Sequence, residues 1–401
     1  MRILIALFAS ASLLTAAPLK TTQLLAEGKE PVRIVCIGDS ITGVYYHSGS
    51  LRAYPEMLQI ALQKIYPQAQ LTVRNAGISG DTTTGALKRL DRDVLAHKPH
   101  LVTVMFGMND LVRSPVADFK KNLVEIITRC RSAGAEVVLC TQNSIVETPA
   151  RPVAKLAEFT QAIHDVSAAE SVAVSDCFNA FEAVRHRSAL EWNLLRSDTI
   201  HPNMDGHKLF AERIAQTISG QAVSLKEIGP PTPAMPHTFE KLKTGQPIKV
   251  LAMPPYDKEI SPALRRLFPK AVIEVMPWQT KGQTLGQLEQ SARNVRSLKP
   301  DLVVIALPGG LSAATPEAFH QSYSWVMNGA LSFGPRQWDV IVALPSAIKA
   351  DLSTEERQNE DFARRLIRAQ DLPMIEGGAQ PFPDLLHHWL SQQLNSPSST
   401  Q

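Results

Sequence analysis

Four short blocks of this 401-residue chain carry the residue types that acyl transfer needs. Gly38-Asp39-Ser40 follows an apolar run, where a strand-to-helix turn would expose the serine hydroxyl. A serine hydroxyl is a weak nucleophile at neutral pH. It needs an imidazole to take its proton and a third group to hold that ring in one tautomer. Asp198-Thr199-Ile200-His201, far down the chain, supplies both types. Donors must also be aimed at the oxygen that gains charge. The glycine-containing stretch 75–81 and Gly107-Met108-Asn109-Asp110 are candidates, each placed after an apolar run.

Taken singly, each block has a plainer reading. Gly-Asp-Ser is ordinary turn chemistry, and Asp198 or Asn203 could cap a helix with Asp205 in its first turn. The other two could be simple strand-end loops. Four independent blocks in order, each matching a chemical requirement, favour the catalytic reading. With these blocks the chain resembles the SGNH (GDSL-type) hydrolases over residues 31–220. The resemblance implies Ser40 as nucleophile, His201 as base and Asp198 as the group that orients it. It also implies an oxyanion hole made of the Ser40 N–H, the Gly80 N–H and the Asn109 side chain. Ile41 stands where the family has leucine, a volume-conserving change. The implied fold is a three-layer α/β/α, flavodoxin-like parallel sheet, and the implied activity is a serine esterase with an acyl-enzyme intermediate. Such chemistry needs no metal and no organic cofactor.

The family includes carbohydrate acetylesterases, lipases, lysophospholipases and thioesterases. Directly after the nucleophile block, Tyr45-Tyr46-His47-Ser48-Gly49-Ser50 reads as a flexible lip over the site, or else as a plain surface loop. The segment is not notably apolar, which leans toward a carbohydrate O-acetylesterase. A lysophospholipase or thioesterase is the alternative within the fold. A carbohydrate-binding protein with vestigial hydrolase blocks is the alternative outside it.

The elements that must position these residues alternate. Apolar strand candidates at 33–37, 71–74, 101–106, 135–141 and 172–177 are separated by helical stretches at 54–66, 81–96, 118–132 and 155–167. Such alternation predicts a parallel sheet with helices on both faces and reacting groups beyond the carboxyl ends of the strands. Ser40, Gly80 and Asn109 each follow a strand, while Asp198 and His201 arrive from a loop before a helix at 204–218.

Residues 221–246, with Pro230, Pro231, Pro233 and Pro236, read as an extended linker to a second, smaller α/β unit at 247–396. That unit echoes the first. Pro31 to Pro247 spans 216 residues, while Pro67 to Pro269, Pro99 to Pro300 and Glu136 to Asp339 span 201 to 203, so register holds after one deletion of 14. The deletion falls in the stretch that carries Ser40 in the first unit; there Pro254-Pro255-Tyr256 stand instead, Gly310 aligns with Asn109, and no Asp-x-x-His follows. Either the second copy of a repeat has lost its catalytic residues, or two unrelated α/β units share similar strand starts. Trp278, Trp325 and Trp338 could stack on sugars, or serve as core and interface residues.

Composition bounds the rest. With 44% hydrophobic and 20% charged residues the chain can bury a full core. A net charge of +3 is too small to imply a nucleic-acid partner, and with no basic, aromatic-interleaved cluster none is expected. The expected partner is a small-molecule or polysaccharide ester; oligomeric state is not legible. Arg2, an apolar stretch over 3–14 and Thr15-Ala16-Ala17 read as a secretory signal over 1–17, or else as an uncleaved helix. The stretch is too short for a permanent anchor, so export to the periplasm or medium is expected, without stable membrane insertion. The four cysteines, Cys36, Cys130, Cys140 and Cys177, lack metal-site spacing and read as mostly free, buried thiols.

Overall fold

A computed structural model of the protein describes residues 19–378 and 380–397; the signal reading at 1–17 lies outside them. The chain forms two parallel five-stranded sheets. The first has β1 Val32–Gly38, β2 Leu71–Gly77, β3 Leu101–Met105, β4 Glu136–Cys140 and β5 Ala173–Ser175, in the order β2-β1-β3-β4-β5. The central strands are buried on both faces, which is why β1 and β3 read as near-continuous apolar runs, interrupted only by Arg33 and Thr103. Edge strand β2 instead alternates along Leu71-Thr72-Val73-Arg74, with the polar residues outward. Chain order reverses between β1 and β3, and ligand sites in open α/β sheets gather outside the strand ends at such a point. Ser40 follows one of these two strands and Asn109 the other.

Boundaries shift where side chains cap. The fifth strand stops at Ser175 rather than 177, because the Asp176 carboxylate accepts the Asn179 N–H at 3.1 Å and starts the helix Cys177–Arg187. The helix expected from 81 starts at Thr83, with Thr82 capping Gly85 N–H at 3.3 Å.

The second sheet has β6 Ile248–Ala252, β7 Ile273–Pro277, β8 Leu302–Ile305, β9 Asp339–Ala343 and β10 Met374–Ile375, in the order β7-β6-β8-β9-β10. This is the arrangement of the first sheet strand for strand, and each sheet packs its own apolar core. Lys98 and Lys299 both take the left-handed conformation, at φ 47°, before β3 and β8. Between strand and helix the halves differ: residues 39–53 connect β1 to its helix, but only 253–255 connect β6 to the helix Tyr256–Leu267.

The stretch read as an extended linker is not extended throughout. Pro236–Lys243 is a helix that buries Thr238, Phe239 and Leu242. Its proline sits in the first turn, where no N–H is required, so proline density misled the reading. The Thr238 N–H donates to Asp339 Oδ2 at 2.7 Å. In the first half the helix Lys20–Glu27 is tied in the same way, by Thr21 N–H to Glu136 Oε2 at 2.8 Å.

All four cysteines are free and buried. Burial pushes the Cys36, Cys130 and Cys177 thiols up to about 12. Among the described residues no helix is long and apolar enough to cross a membrane.

Candidate active site

At the end of β1 the chain must turn sharply. A Cβ on Gly38 would lie 1.9 Å from Thr42 Oγ1 and 2.7 Å from the Met105 carbonyl oxygen, so only glycine fits. The Asp39 carbonyl accepts the Thr42 and Gly43 N–H groups, and its carboxyl accepts the Ile41 N–H at 2.9 Å. This turn leaves Ser40 half-buried at its head.

Ser40 Oγ lies 3.0 Å from His201 Nε2, and His201 Nδ1 lies 2.8 Å from Asp198 Oδ2. A carboxylate only accepts, so this pair places the ring proton on Nδ1 and turns Nε2 toward the serine as an acceptor. Asp198 Oδ1 accepts the Ile200 and His201 N–H groups at 2.9 and 2.8 Å, which folds the loop so that acid and base face one another. Burial alone would raise the Asp198 carboxyl. The adjacent His201 and these amide donors win, holding it well below the usual carboxylate range.

Behind the His201 ring stand two more imidazoles. His47 stacks on it at 4.4 Å with 6° between planes, and His207 lies 5.7 Å beyond His47. Burial lowers His47 well below the ordinary histidine range and His207 to about 3, so both are neutral when esters are hydrolysed near pH 7. His201 is therefore backed by an uncharged wall that does not repel an imidazolium.

Gly80 adopts φ +74°, which favours glycine. Among the described residues neither the Ser40 nor the Gly80 N–H donates to a protein acceptor. Asn109 Nδ2 donates to Asp81 O at 3.0 Å and, at 3.3 Å, to Asp39 Oδ2, so it ties the Gly80 turn to the Ser40 turn. Arg151 fixes the other end of that amide, donating to Asn109 Oδ1 at 3.3 Å and to Met108 O at 3.2 Å. All five site residues expected from sequence thus lie on connected loops at the carboxyl ends of the strands.

One expectation needs correction. The segment 45–50 is neither a flexible lip nor a surface loop: His47 and Ser48 are wholly buried, and Ser50 Oγ donates to the Ser332 carbonyl in the second half at 2.6 Å. Its aromatic content reflects packing between the halves. Trp278 and Trp338 are core residues, while Trp325 stacks on Tyr46 with ring centroids 6.2 Å apart. Sequence reasoning missed Tyr46, whose hydroxyl donates to Asp198 Oδ2 at 3.1 Å. It also missed Arg151, for which the sequence carries no signal.

Asp39 provides a test by pH. Burial pushes its carboxyl up from 3.8 to about 7, with Asp110 and Asp81 adding to the rise and the Ile41 N–H and His201 opposing it. The folded state holds this proton more tightly than the unfolded chain. The group's contribution to stability is therefore complete below 3.8 and is lost as pH rises through about 7. Asp39→Asn should shrink the fall in melting temperature between about pH 4.5 and pH 7.5. An unchanged fall would clear Asp39 of any part in it.

The profile of the GDSL-like Lipase/Acylhydrolase family matches residues 36–209, a span that contains all five residues of the site. Esterase TesA of Pseudomonas aeruginosa is 30% identical over 147 residues, covering 36% of this chain and 69% of that protein. The chain belongs to the GDSL-like lipase/acylhydrolase family. As a GDSL-like acylhydrolase it is an ester-bond hydrolase. Two further relatives are each 29% identical across 46% of this chain. The acetylxylan esterase of Geobacillus stearothermophilus is matched over 93% of its length. The thioesterase 1/protease 1/lysophospholipase L1 of Escherichia coli is matched over 82%.

Proposed function

We propose that the protein is a serine esterase acting on O-acetylated carbohydrates. The unbroken line from Ser40 Oγ through the His201 ring to Asp198 Oδ2, at 3.0 and 2.8 Å, is the observation that carries the chemistry. His201 Nε2 takes the Ser40 proton as the hydroxyl oxygen bonds to the ester carbonyl carbon. The Ser40 and Gly80 N–H groups and the Asn109 amide hold the oxygen that becomes negative. For Asn109 this means releasing its longer bond, to Asp39. His201 then gives the proton to the departing alkoxide, and water repeats the sequence on the acyl-serine to release acid. Asp198 stays ionised throughout and stabilises the imidazolium.

The carbohydrate assignment rests on the surroundings. Beside Asp198 opens a cavity of about 180 Å³, where Asn193, Thr199, Glu317 and His320 stand beside Val146 and the indole of Trp325. Polar groups beside one aromatic face suit a sugar alcohol better than an acyl chain. The likeness to an acetylxylan esterase over nearly its whole length points the same way. A thioesterase or lysophospholipase reading draws on exposed Ile78 and Val112, which lie close in sequence to Gly80 and Asn109 and offer apolar surface.

Two measurements decide. A fluorophosphonate probe should label wild-type protein at Ser40; no labelling would mean an idle serine and a binding protein instead. Across acetylated xylo-oligosaccharides, p-nitrophenyl acetate, palmitoyl thioester and lysophospholipid, kcat/KM should favour the acetylated sugar over both long-chain substrates by about tenfold or more. The reverse ranking would overturn the carbohydrate assignment while leaving the esterase in place.

A further inference from the structure

The second half has no nucleophile loop, yet it touches the site at several points. Asn328 and Gln370, both buried, bond to one another through Gln370 Nε2 and Asn328 Oδ1 at 3.2 Å. The same Gln370 nitrogen donates to the carbonyls of Tyr46 at 2.9 Å and His47 at 3.0 Å. Asn328 Nδ2 donates to the Ser197 carbonyl at 3.1 Å, and Asn328 Oδ1 accepts from Ser197 Oγ at 3.0 Å. Ser197 directly precedes Asp198, and its N–H donates to the His201 carbonyl at 2.9 Å. One pair of amides thus grips two loops: that of Tyr46 and His47, and that of Asp198 and His201.

We propose that the second α/β unit is a positioning partner for the hydrolytic site, its Asn328–Gln370 amide pair setting the Tyr46–His47 loop against the Asp198–His201 loop. This rests on the serine-esterase reading above. Apolar packing alone tolerates sliding, whereas a buried amide must keep its directional partners or lose their full value. Both loops converge on one atom, because Asp198 Oδ2 accepts from His201 Nδ1 and from the Tyr46 hydroxyl. The Tyr46 ring is held from the second half, with Trp325 stacked on it, Phe333 at 6.1 Å and the Arg296 guanidinium 5.0 Å over its face. The Tyr46 N–H donates to the Phe333 carbonyl at 3.2 Å. Burial, reinforced by the Asp198 charge, pushes the phenol up, so it remains a donor. His47, gripped through its carbonyl, presents its ring to His201 in the stack described above. Tyr46, Asn328 and Gln370 are positioning residues, since each acts through Asp198 or His201.

The test separates kcat from KM on p-nitrophenyl acetate, with a thermal melt to confirm folding. Asn328→Leu should lower kcat by roughly 10- to 100-fold with KM changed less than about threefold, as expected when reacting groups shift by a fraction of an ångström. Asn328→Asp keeps the oxygen that Ser197 and Gln370 use, and should recover part of that loss. Tyr46→Phe removes one oxygen and keeps the ring, and should cost kcat about fivefold to tenfold. Added to Asn328→Leu it should cost little more, because both act on the same contact. A folded Asn328→Leu with wild-type kcat, or one in which only KM rises, overturns the proposal. If Asn328→Leu does not fold, Tyr46→Phe decides, and an unchanged kcat there overturns it. Fluorophosphonate labelling of the wild type distinguishes the two ideas: an unlabelled protein defeats the esterase reading, whereas a labelled one with indifferent variants defeats only the positioning role.

Discussion

Ser40→Ala is expected to abolish ester hydrolysis and leave the fold intact, with a loss in kcat of roughly a millionfold. The magnitude follows from covalent catalysis, because without the hydroxyl no acyl-enzyme forms and water must attack unaided. Any activity left over comes from the oxyanion donors and from binding, which act without the nucleophile. Retention of the fold follows from position. Ser40 is half-buried at the head of a turn, and its hydroxyl bonds to His201 alone among the described side chains. Truncation opens no core cavity and strands no buried donor, so the melting temperature should hold within about 2 °C. The measurement is initial-rate hydrolysis of p-nitrophenyl acetate beside a thermal melt. Activity above about a thousandth of wild type in a folded variant would remove Ser40 from the mechanism.

His201→Ala should cost as much in rate, and more in stability. Its Nε2 is the one side-chain partner of the Ser40 hydroxyl among the described residues, so its loss leaves the hydroxyl without a bonded base. Combined with Ser40→Ala it should be no slower than either single change, because the two residues perform one step. A double variant slower by the product of the single losses would show that they act separately. The stability cost has a different origin. Removing the ring uncovers the stacked face of His47 and takes from Asp198 a partner that holds its carboxyl low. Asp198 keeps the Ile200 N–H and the Tyr46 hydroxyl, so the melting temperature should fall by a few degrees without loss of the fold.

What could be read in the sequence and what could not divide along a physical line. The blocks that hold the candidate residues Ser40, Asp198 and His201 were legible because chemistry restricts their types and because each follows a strand or precedes a helix with a clear apolar period, whereas Gly80 and Asn109 were singled out by the family resemblance. The central strands were legible for a similar reason, since burial on both faces leaves near-continuous apolar runs rich in Val, Ile and Leu. The helix Pro236–Lys243 was hidden by its prolines, whose effect depends on whether they fall in the first turn. The loop 45–50 was misread because nothing local tells an aromatic lip from an aromatic interface. Asn328 and Gln370 were beyond reach: they meet Ser197, Tyr46 and His47 across 131 to 324 positions of chain, and an isolated Asn or Gln gives no hint of such a partner.

The four sulfurs have a consequence for where such a protein can work. None is crosslinked and all four are buried, and burial raises each thiol so far that the reactive thiolate is scarce at neutral pH. Glutathione, oxygen or a disulfide-forming catalyst therefore finds no grip on the native state, and the same fold stands in a reducing cytosol or an oxidising exterior.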